Sequence, residues 1–480
     1  MADTRRETDL LFASREREEK VIIALDFGTT YSGVAYCFAN QTNAKPIAIM
    51  KWPGNRGISA PKIPTIIEYT KEDPRGFRWG ASVNKSNGGI VAIKLLLDPN
   101  QQRPLYLPAK HIEEELKSLP KHPLEIAADF IGAIYAHALE DISSSVPKAY
   151  MDMCHKEFVL SVPAVWSDAA KNATLKAAEL AGIKPVTVVK EPEAAALYSI
   201  KTLDFSIKKE DVFVICDAGG GTVDLISYEV LATTPQLKVK ELVPGTGGMA
   251  GSLGLNQRFA AAVEELVGDH QWPTFKMSKA WSFAEKQFDQ EIKKAFSGAL
   301  EEEYLVNFPM AKLGDDESHG LESNTWKLTG FELRRIFEPL IVDIVQMIEH
   351  QVQQVRMKRP GTEISGVFLV GGFGSSHYLM QRVKEHFHQI QVLQPDDAWA
   401  AIVKTVPPHP SKAKKLDRNC NVTADLTGVP KHNFHPQRDT EGKLYYTLNI
   451  NLVVTLKSAV MTFSMEVDGE EMGSAEVDYT

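Results

Sequence analysis

Two short runs in this 480-residue chain end an apolar stretch with a carboxylate and turn at once on glycine. The first is Asp26-Phe27-Gly28-Thr29-Thr30-Tyr31, and the second is Asp217-Ala218-Gly219-Gly220-Gly221-Thr222-Val223-Asp224. A chain leaving a buried strand through glycine offers successive backbone N–H groups to an anion, and the missing side chain lets phosphate oxygens approach. The hydroxyls of Thr29 and Thr30 add donors, and Asp26 supplies oxygens suited to a hydrated Mg²⁺. Taken singly, the first run is also a plain β-turn and the second a flexible surface loop. Their match argues for two phosphate turns. A third run, Val370-Gly371-Gly372-Phe373-Gly374-Ser375-Ser376, would let a flat base and ribose lie against glycine backbone, although strand-glycine-helix junctions are common in α/β proteins. None of the three is a G-x-x-x-x-G-K-[ST] loop or a G-x-G-x-x-G fingerprint.

These turns need strands to carry them. Apolar runs at Val21–Phe27, Phe158–Pro163, Val186–Val189, Val212–Asp217 and Val367–Val370 each stand before a turn, and helical patterns follow several of them. Ser167 suits the cap of a helix running to Gly182, and Pro192 the first turn of one through Ile200. Further helices are predicted near Leu124–Ser143 and Tyr378–Phe387. Such alternation predicts α/β layers with buried, largely parallel strands. VIIALDFGTTYSGVAY from Val21 and VFVICDAGGGTVDLISY from Val212 repeat one pattern, with Asp26 and Asp217 in matching places 191 residues apart. A repeat of that period predicts two related lobes, and a cleft between lobes is a natural ligand site.

The expected organisation is a mobile tail over 1–20, a first lobe over 21–205, a second over 206–404, a basic proline-broken linker over 405–442 and a small β-rich segment over 443–480. Residues 100–123 read as a loop. In the last segment, Leu448, Ile450, Leu452, Val454 and Leu456 alternate with polar residues, and Asp468-Gly469 is a turn candidate. So short a sheet, without cysteine or histidine, is expected to bury one face against the core or another chain.

A net charge of −9 disfavours nucleic acid as partner. No apolar run approaches the roughly 20 residues needed to cross a bilayer, and the N-terminus has no secretion-signal pattern. Cys37, Cys154, Cys216 and Cys420 are scattered, which reads as reduced, buried thiols rather than a zinc site. A cytoplasmic or nuclear setting follows as the expectation.

The two Asp-Gly-Thr turns, the helix Glu191-Pro192-Glu193-Ala194-Ala195-Ala196 and the late Leu369-Val370-Gly371-Gly372 turn resemble the actin, sugar-kinase and heat-shock ATPase superfamily. Within it, LSVPAVWSDAAKNATLKAAELAGIKPVTVVKEPEAAALYS resembles the heat-shock protein 70 family almost throughout, and the similarity spans roughly residues 21–404. The resemblance implies a two-lobed, ribonuclease-H-like duplicated ATPase core that binds ATP or ADP with Mg²⁺. Asp26 and Asp217 would face the metal. Gly28, Thr29, Thr30 and Tyr31 would surround the β- and γ-phosphates, opposite Gly219, Gly220, Gly221 and Thr222. Glu191 would place the attacking water, and Lys94 would approach the γ-phosphate; the bland readings are a solvent-facing helix start and a surface lysine. Gly371, Gly372 and Asp396 would line the adenosine, with Lys293, Lys294 and Ser297 on the adenine-side helix. Client proteins and co-chaperones would be the partners.

The sequence also departs from the family's pattern. Phe373 and Ser375 stand where a serine and an arginine usually follow the late glycines, and Gly251-Ser252-Leu253 lacks the usual acids. The last helix is cut short at Lys404, the peptide-binding domain of standard members is not legible, and an internal stretch is expected to be missing. The reading implied is a slow ATPase switch with chaperone-like work. A nucleotide-binding scaffold with little turnover and a small-molecule kinase remain the alternatives.

Overall fold

The structure is a computed structural model that describes residues 20–38, 46–73, 75–83, 89–98, 119–202, 207–233 and 237–395, together with short strands between residues 421 and 478. Compactness divides the chain into two units, one of residues 1–165 with 174–406, the other of residues 166–173 with 407–480.

The large unit is built on two sheets of the same design. The first uses β1 (Lys20–Asp26), β2 (Tyr31–Phe38), β3 (Ile47–Ala48), β4 (Ile63–Pro64), β5 (His155–Val162) and β6 (Val186–Lys190). Its order is β3-β2-β1-β5-β6, with β4 also paired to β2. The second uses β7 (Val212–Ala218), β8 (Val223–Ala232), β9 (Lys238–Gly248), β10 (Gly366–Val370) and β11 (Val392–Leu393), in the order β9-β8-β7-β10-β11. In both, the first three strands in sequence form an antiparallel meander and the last two add in parallel. The expectation of largely parallel strands is thereby corrected. The glycine turns are too short for a crossover, so each must reverse the chain into an antiparallel neighbour.

The repeat is kept down to register. Val21 pairs with Phe38 and Asp26 with Gly33; residues 191 positions later, Val212 pairs with Glu229 and Asp217 with Asp224. Together with the duplicated strand order, this is the two-lobed actin-like ATPase fold, followed by a small β-rich C-terminal segment.

β1 and β7 are central strands covered on both faces, which explains their nearly continuous apolar sequences. Helix α1 (Pro123–Ser145) covers the first sheet through Ile126, Phe130, Ile134 and Ile142. Its start is fixed by a capping box between His122 and Glu125. Helix α2 (Asp168–Leu180) begins after Ser167, whose hydroxyl accepts from the Ala170 N–H at 3.1 Å. It ends as expected at Gly182, where φ is +81° and Ile183 N–H bonds back to Ala178 O.

Helix α3 (Glu191–Thr202) follows β6 directly, yet Ala194, Ala195 and Ala196 pack against Phe213, Ile215, Phe368 and Val370 of the second sheet. Alanines permit that close approach and fix where Glu191, the first residue of the helix, must sit. Helix α4 (Leu253–Val267) and the long helix α5 (Gly330–Lys358) cover the other face. On α5, Leu333, Phe337, Ile341, Ile344, Ile348 and Val355 form one buried stripe. Helix α6 (His377–His386) starts at the Ser376 cap, one residue before the predicted position.

Cys37, Cys154 and Cys216 are buried free thiols, while Cys420 lies outside the described residues. Among the described residues no helix is long and apolar enough to cross a membrane. In the C-terminal segment, Asn451–Lys457, Val460–Val467 and Glu470–Ala475 form an antiparallel sheet, with Val467 opposite Glu470 as the Asp468-Gly469 dipeptide predicts. Strands at Asn421–Val422 and His435–Arg438 precede the alternating tail. Leu448 and Ile450, residues 1–19 of the tail expected over 1–20 and most of the loop over 100–123 lie outside the described residues, while Lys20 begins β1.

Two glycines separate conformational cost from crowding. Gly182 has positive φ but open space around an added Cβ, whereas Gly371 has φ of +84° and would place Cβ 2.5 Å from Ala218 O. Gly182→Ala should cost about 1–2 kcal/mol in urea unfolding, the penalty of a left-handed L-residue. Gly371→Ala should cost clearly more, and equal losses would show that the crowding is relieved.

Candidate functional site

β1 ends in Asp26 and β7 carries Asp217 one residue before its end, both shut from solvent at 3% and 4% exposed. Parallel pairing carries Ser161 alongside Asp26, and its hydroxyl donates to Asp26 Oδ1 at 3.1 Å. Lys62 Nζ stands 2.7 Å from Oδ2 as an ion pair. It lies outside hydrogen-bond alignment, so among the described residues no donor is directed at Oδ2.

The first turn is braced from one side. Gly28 N–H donates to Ser32 Oγ (3.2 Å), and Thr65 Oγ1 donates to Gly28 O (2.8 Å). Thr65 N–H also bonds to Thr30 O at 2.8 Å. In the second turn, Gly219 N–H closes on Thr222 O at 2.9 Å. Its carbonyls receive the N–H groups of Gly251, Ser252 and Leu253 at 3.2, 3.1 and 2.8 Å. The Gly-Ser-Leu stretch thus supports the turn through backbone, for which its missing acids are not needed. Among the described backbone bonds, none uses the N–H of Gly220 or Gly221.

The two turns touch. A Cβ on Gly220 would lie 2.2 Å from Thr30 Oγ1, and one on Gly221 would lie 2.8 Å from Thr29 Cγ2. Glycine is therefore required at both positions by the opposing threonines. Gly371 closes a third side, since its added Cβ would lie 2.3 Å from Asp217 Oδ1.

Two further acids join the aspartates. Asp224, 1% exposed, accepts from Thr222 Oγ1 (2.9 Å) and from Val165 N–H (3.1 Å). Glu191, 7% exposed, accepts from Lys94 Nζ at 2.5 Å. Lys94 is buried on a short 3₁₀ turn, Ile93–Leu97, which replaces the bland reading of a surface lysine. Glu191 is likewise buried, not solvent-facing.

Four buried carboxylates thus face two buried ammonium groups, an excess of two negative charges when all are ionised. The strain shows in their protonation. Burial pushes Glu191 up to about 7, Lys94 opposes the shift, and Asp26 and Asp224 add to it. Asp217 is raised well above the usual carboxylate range, by burial first and then by Glu191 and Asp224. Burial also raises Asp224, against the hydrogen bonds from Val165 and Thr222. Tyr31 is pushed up to about 12 by burial and by the charge of Asp289.

The remaining predicted residues lie further out. Lys293 Nζ bonds to Asp289 Oδ1 (2.5 Å) and Asn256 Oδ1 (3.1 Å), and Lys294 is exposed. Ser297 Oγ accepts from Ala299 N–H at 3.3 Å. Gly372 has open space over its backbone. Phe373 is buried in the core beside Phe337, and Ser375 Oγ donates to Gly372 O at 2.8 Å. Asp396 lies outside the described residues.

Sequence reasoning missed Lys62, Ser161 and Thr65, and left Asp224 without a role. Ser161 was within reach, because it neighbours Asp26 once β1 and β5 are paired. Lys62, in Ala60-Pro61-Lys62-Ile63-Pro64, sits in a proline-broken run with no periodicity to orient it.

The charge excess and the undirected Asp26 Oδ2 fit a divalent cation. Among the described residues no three His, Cys, Asp or Glu side chains form a ready cage.

Proton linkage gives a test in the ligand-free protein. Folding raises Glu191 from 4.5 to about 7, so between those values the folded state holds a proton that the unfolded state has released. Its contribution to stability is complete below pH 4.5 and is lost as pH rises toward 7. Glu191→Gln should flatten that decline when urea midpoints are compared at several pH values, and an unchanged pH slope would contradict it.

Comparison with known proteins agrees with this geometry. The profile described as Hsp70 protein matches residues 22–403. The chain is 25% identical to human "Heat shock 70 kDa protein 12A", over 82% of this chain and 69% of that protein. It is 24% identical to "Chaperone protein HscA" of Buchnera aphidicola, over 78% of this chain and 67% of the relative. It is 23% identical to "Chaperone protein DnaK" of Carsonella ruddii, over 79% and 61% respectively. A match over so much of the chain, on a duplicated fold with paired aspartate-glycine turns, means that this protein belongs to the heat-shock protein 70 family.

Proposed function

We propose that this chain binds Mg·ATP where the two hairpin tips meet and hydrolyses it slowly, as a conformational switch with chaperone-like use. The observation that carries this reading is the set of four buried acids and two lysines around two glycine turns. Phosphates would be received by the backbone of Gly28–Tyr31 and Gly219–Thr222, with the hydroxyls of Thr29, Thr30 and Thr222 as further donors. Because the turns touch, they must part to admit phosphate. Asp26 and Asp217 would hold Mg²⁺ through water, and the metal would supply charge stabilisation on the phosphate oxygens. Glu191 would orient a water once Lys94 turned toward the γ-phosphate. Gly371 and Gly372 offer a flat backbone surface for adenosine; Asp396, Lys293, Lys294 and Ser297 would complete that side. Relatives named as chaperones support client proteins and co-chaperones as partners, and a cytoplasmic or nuclear setting belongs to the same proposal.

A nucleotide-binding scaffold with little turnover is the second reading. The Lys94–Glu191 pair favours it, since the two groups expected to act on water and phosphate are bonded to each other.

Millimolar Mg·ATP should raise the thermal midpoint more than ATP with chelator does. Saturation at about 100 times Kd corresponds to about 2.7 kcal/mol of added stability. Absence of any shift with ATP would refute nucleotide binding.

Single-turnover hydrolysis separates the two readings. Thr222→Ala and Glu191→Gln should each slow the chemical step by about a hundredfold, with ATP affinity changed only a few-fold. Wild-type turnover no faster than that of Glu191→Gln would establish the scaffold instead.

A further inference from the structure

Lys62 is counted in the charge of this site but is given no task in the reading above. Its side chain is 9% exposed and it immediately precedes β4, the two-residue strand paired to β2 of the first hairpin. Nζ lies 2.7 Å from Asp26 Oδ2, the oxygen with no aligned donor. The other oxygen of Asp26 is committed to Ser161. Lys62 also counts among the charges that pull Asp217 back toward ionisation, so its ammonium acts on both strand-end aspartates at once. These are the two carboxylates that would hold the metal. A monovalent cation of the protein's own therefore stands beside the oxygen that a divalent ion needs.

We infer that Lys62 is a built-in competitor of the divalent cation, a positioning residue that holds Asp26 in the metal-free protein and must leave Oδ2 before a metal can use it. The inference rests on the Mg·ATP reading for its purpose, but its geometry is independent of nucleotide. Two consequences follow from simple electrostatics. A positive charge a few ångströms away repels an incoming divalent ion, so apparent metal affinity is held down. Removing that charge also leaves Asp26 buried and unpaired, so the metal-free fold is weakened. A residue that merely bound phosphate would show neither effect without nucleotide.

The test uses Mn²⁺ as probe for the full-length protein without nucleotide, with free ion read by electron paramagnetic resonance. Lys62→Gln should bind Mn²⁺ about tenfold or more tightly than wild type, the scale expected for loss of a nearby like charge. Lys62→Arg should remain near wild type. The Lys62→Gln melting midpoint should drop without metal and recover with it. Equal Mn²⁺ affinity in wild type and Lys62→Gln would overturn the inference, as would Lys62→Arg behaving like Lys62→Gln. Should Lys62→Gln not fold, the wild-type protein decides by amine labelling and mass spectrometry. Mn²⁺ should then raise the labelling rate of Lys62 severalfold, and an unchanged rate at saturating Mn²⁺ refutes displacement. Failure of ATP to stabilise any of these proteins would count against the nucleotide reading and leave the cation result standing.

Discussion

Ionised carboxylates at the ends of buried strands are the constraint around which the rest of this protein is arranged. Asp26, Asp217, Asp224 and Glu191 come from two sheets and one helix, and each is expensive to keep charged away from water. Every nearby feature answers that cost. Ser161, Thr222 and the Val165 N–H donate hydrogen bonds, and Lys62 and Lys94 supply charge. The answer is incomplete by two charges. The raised proton affinity of Glu191, Asp217 and Asp224 meets part of that excess, and the Mg²⁺ of the proposed nucleotide would meet the rest.

The second constraint is steric and acts on backbone. The tips of the two hairpins meet with threonine against glycine, so Gly220 and Gly221 are dictated by the opposite turn as much as by any ligand. Support for each tip comes from outside the contact: Ser32 and Thr65 hold the first, and the chain entering α4 holds the second. Tips braced from behind can separate without losing their own shape. The proposed phosphate site would use that property, because its N–H groups would stay aimed while the gap between the turns changes.

Much of this was legible in the sequence, for reasons that can be named. β1 and β7 were visible because strands buried on both faces must be apolar throughout, and their terminal aspartates stood out against that background. The hairpins were visible because a repeat of composition accompanied the repeat of register. Ser167, Gly182 and the Asp468-Gly469 turn announced themselves through local backbone chemistry. Parallel strand pairing was over-predicted, since apolar runs reveal burial and say nothing of direction. Lys62 and Thr65 stayed hidden because they reach the site through non-local pairing to β2, which no local pattern encodes. The standing of Lys94 was ambiguous for the same reason: its partner, Glu191, is 97 residues away.

The shared register has a further consequence when the two hairpins are laid over each other. The pair Asp26–Gly33 of the first maps onto Asp217–Asp224 of the second, so a nearly symmetric frame carries acid at both strand ends but at only one of the facing positions. Glu191 and its partner Lys94 add a further difference in charge, since α3 follows the first sheet and packs on the second. The duplicated scaffold thus has a built-in polarity: its two halves share a backbone and differ in charge. A ligand whose own ends differ would meet unlike surfaces in the two possible orientations and would be accepted in one of them.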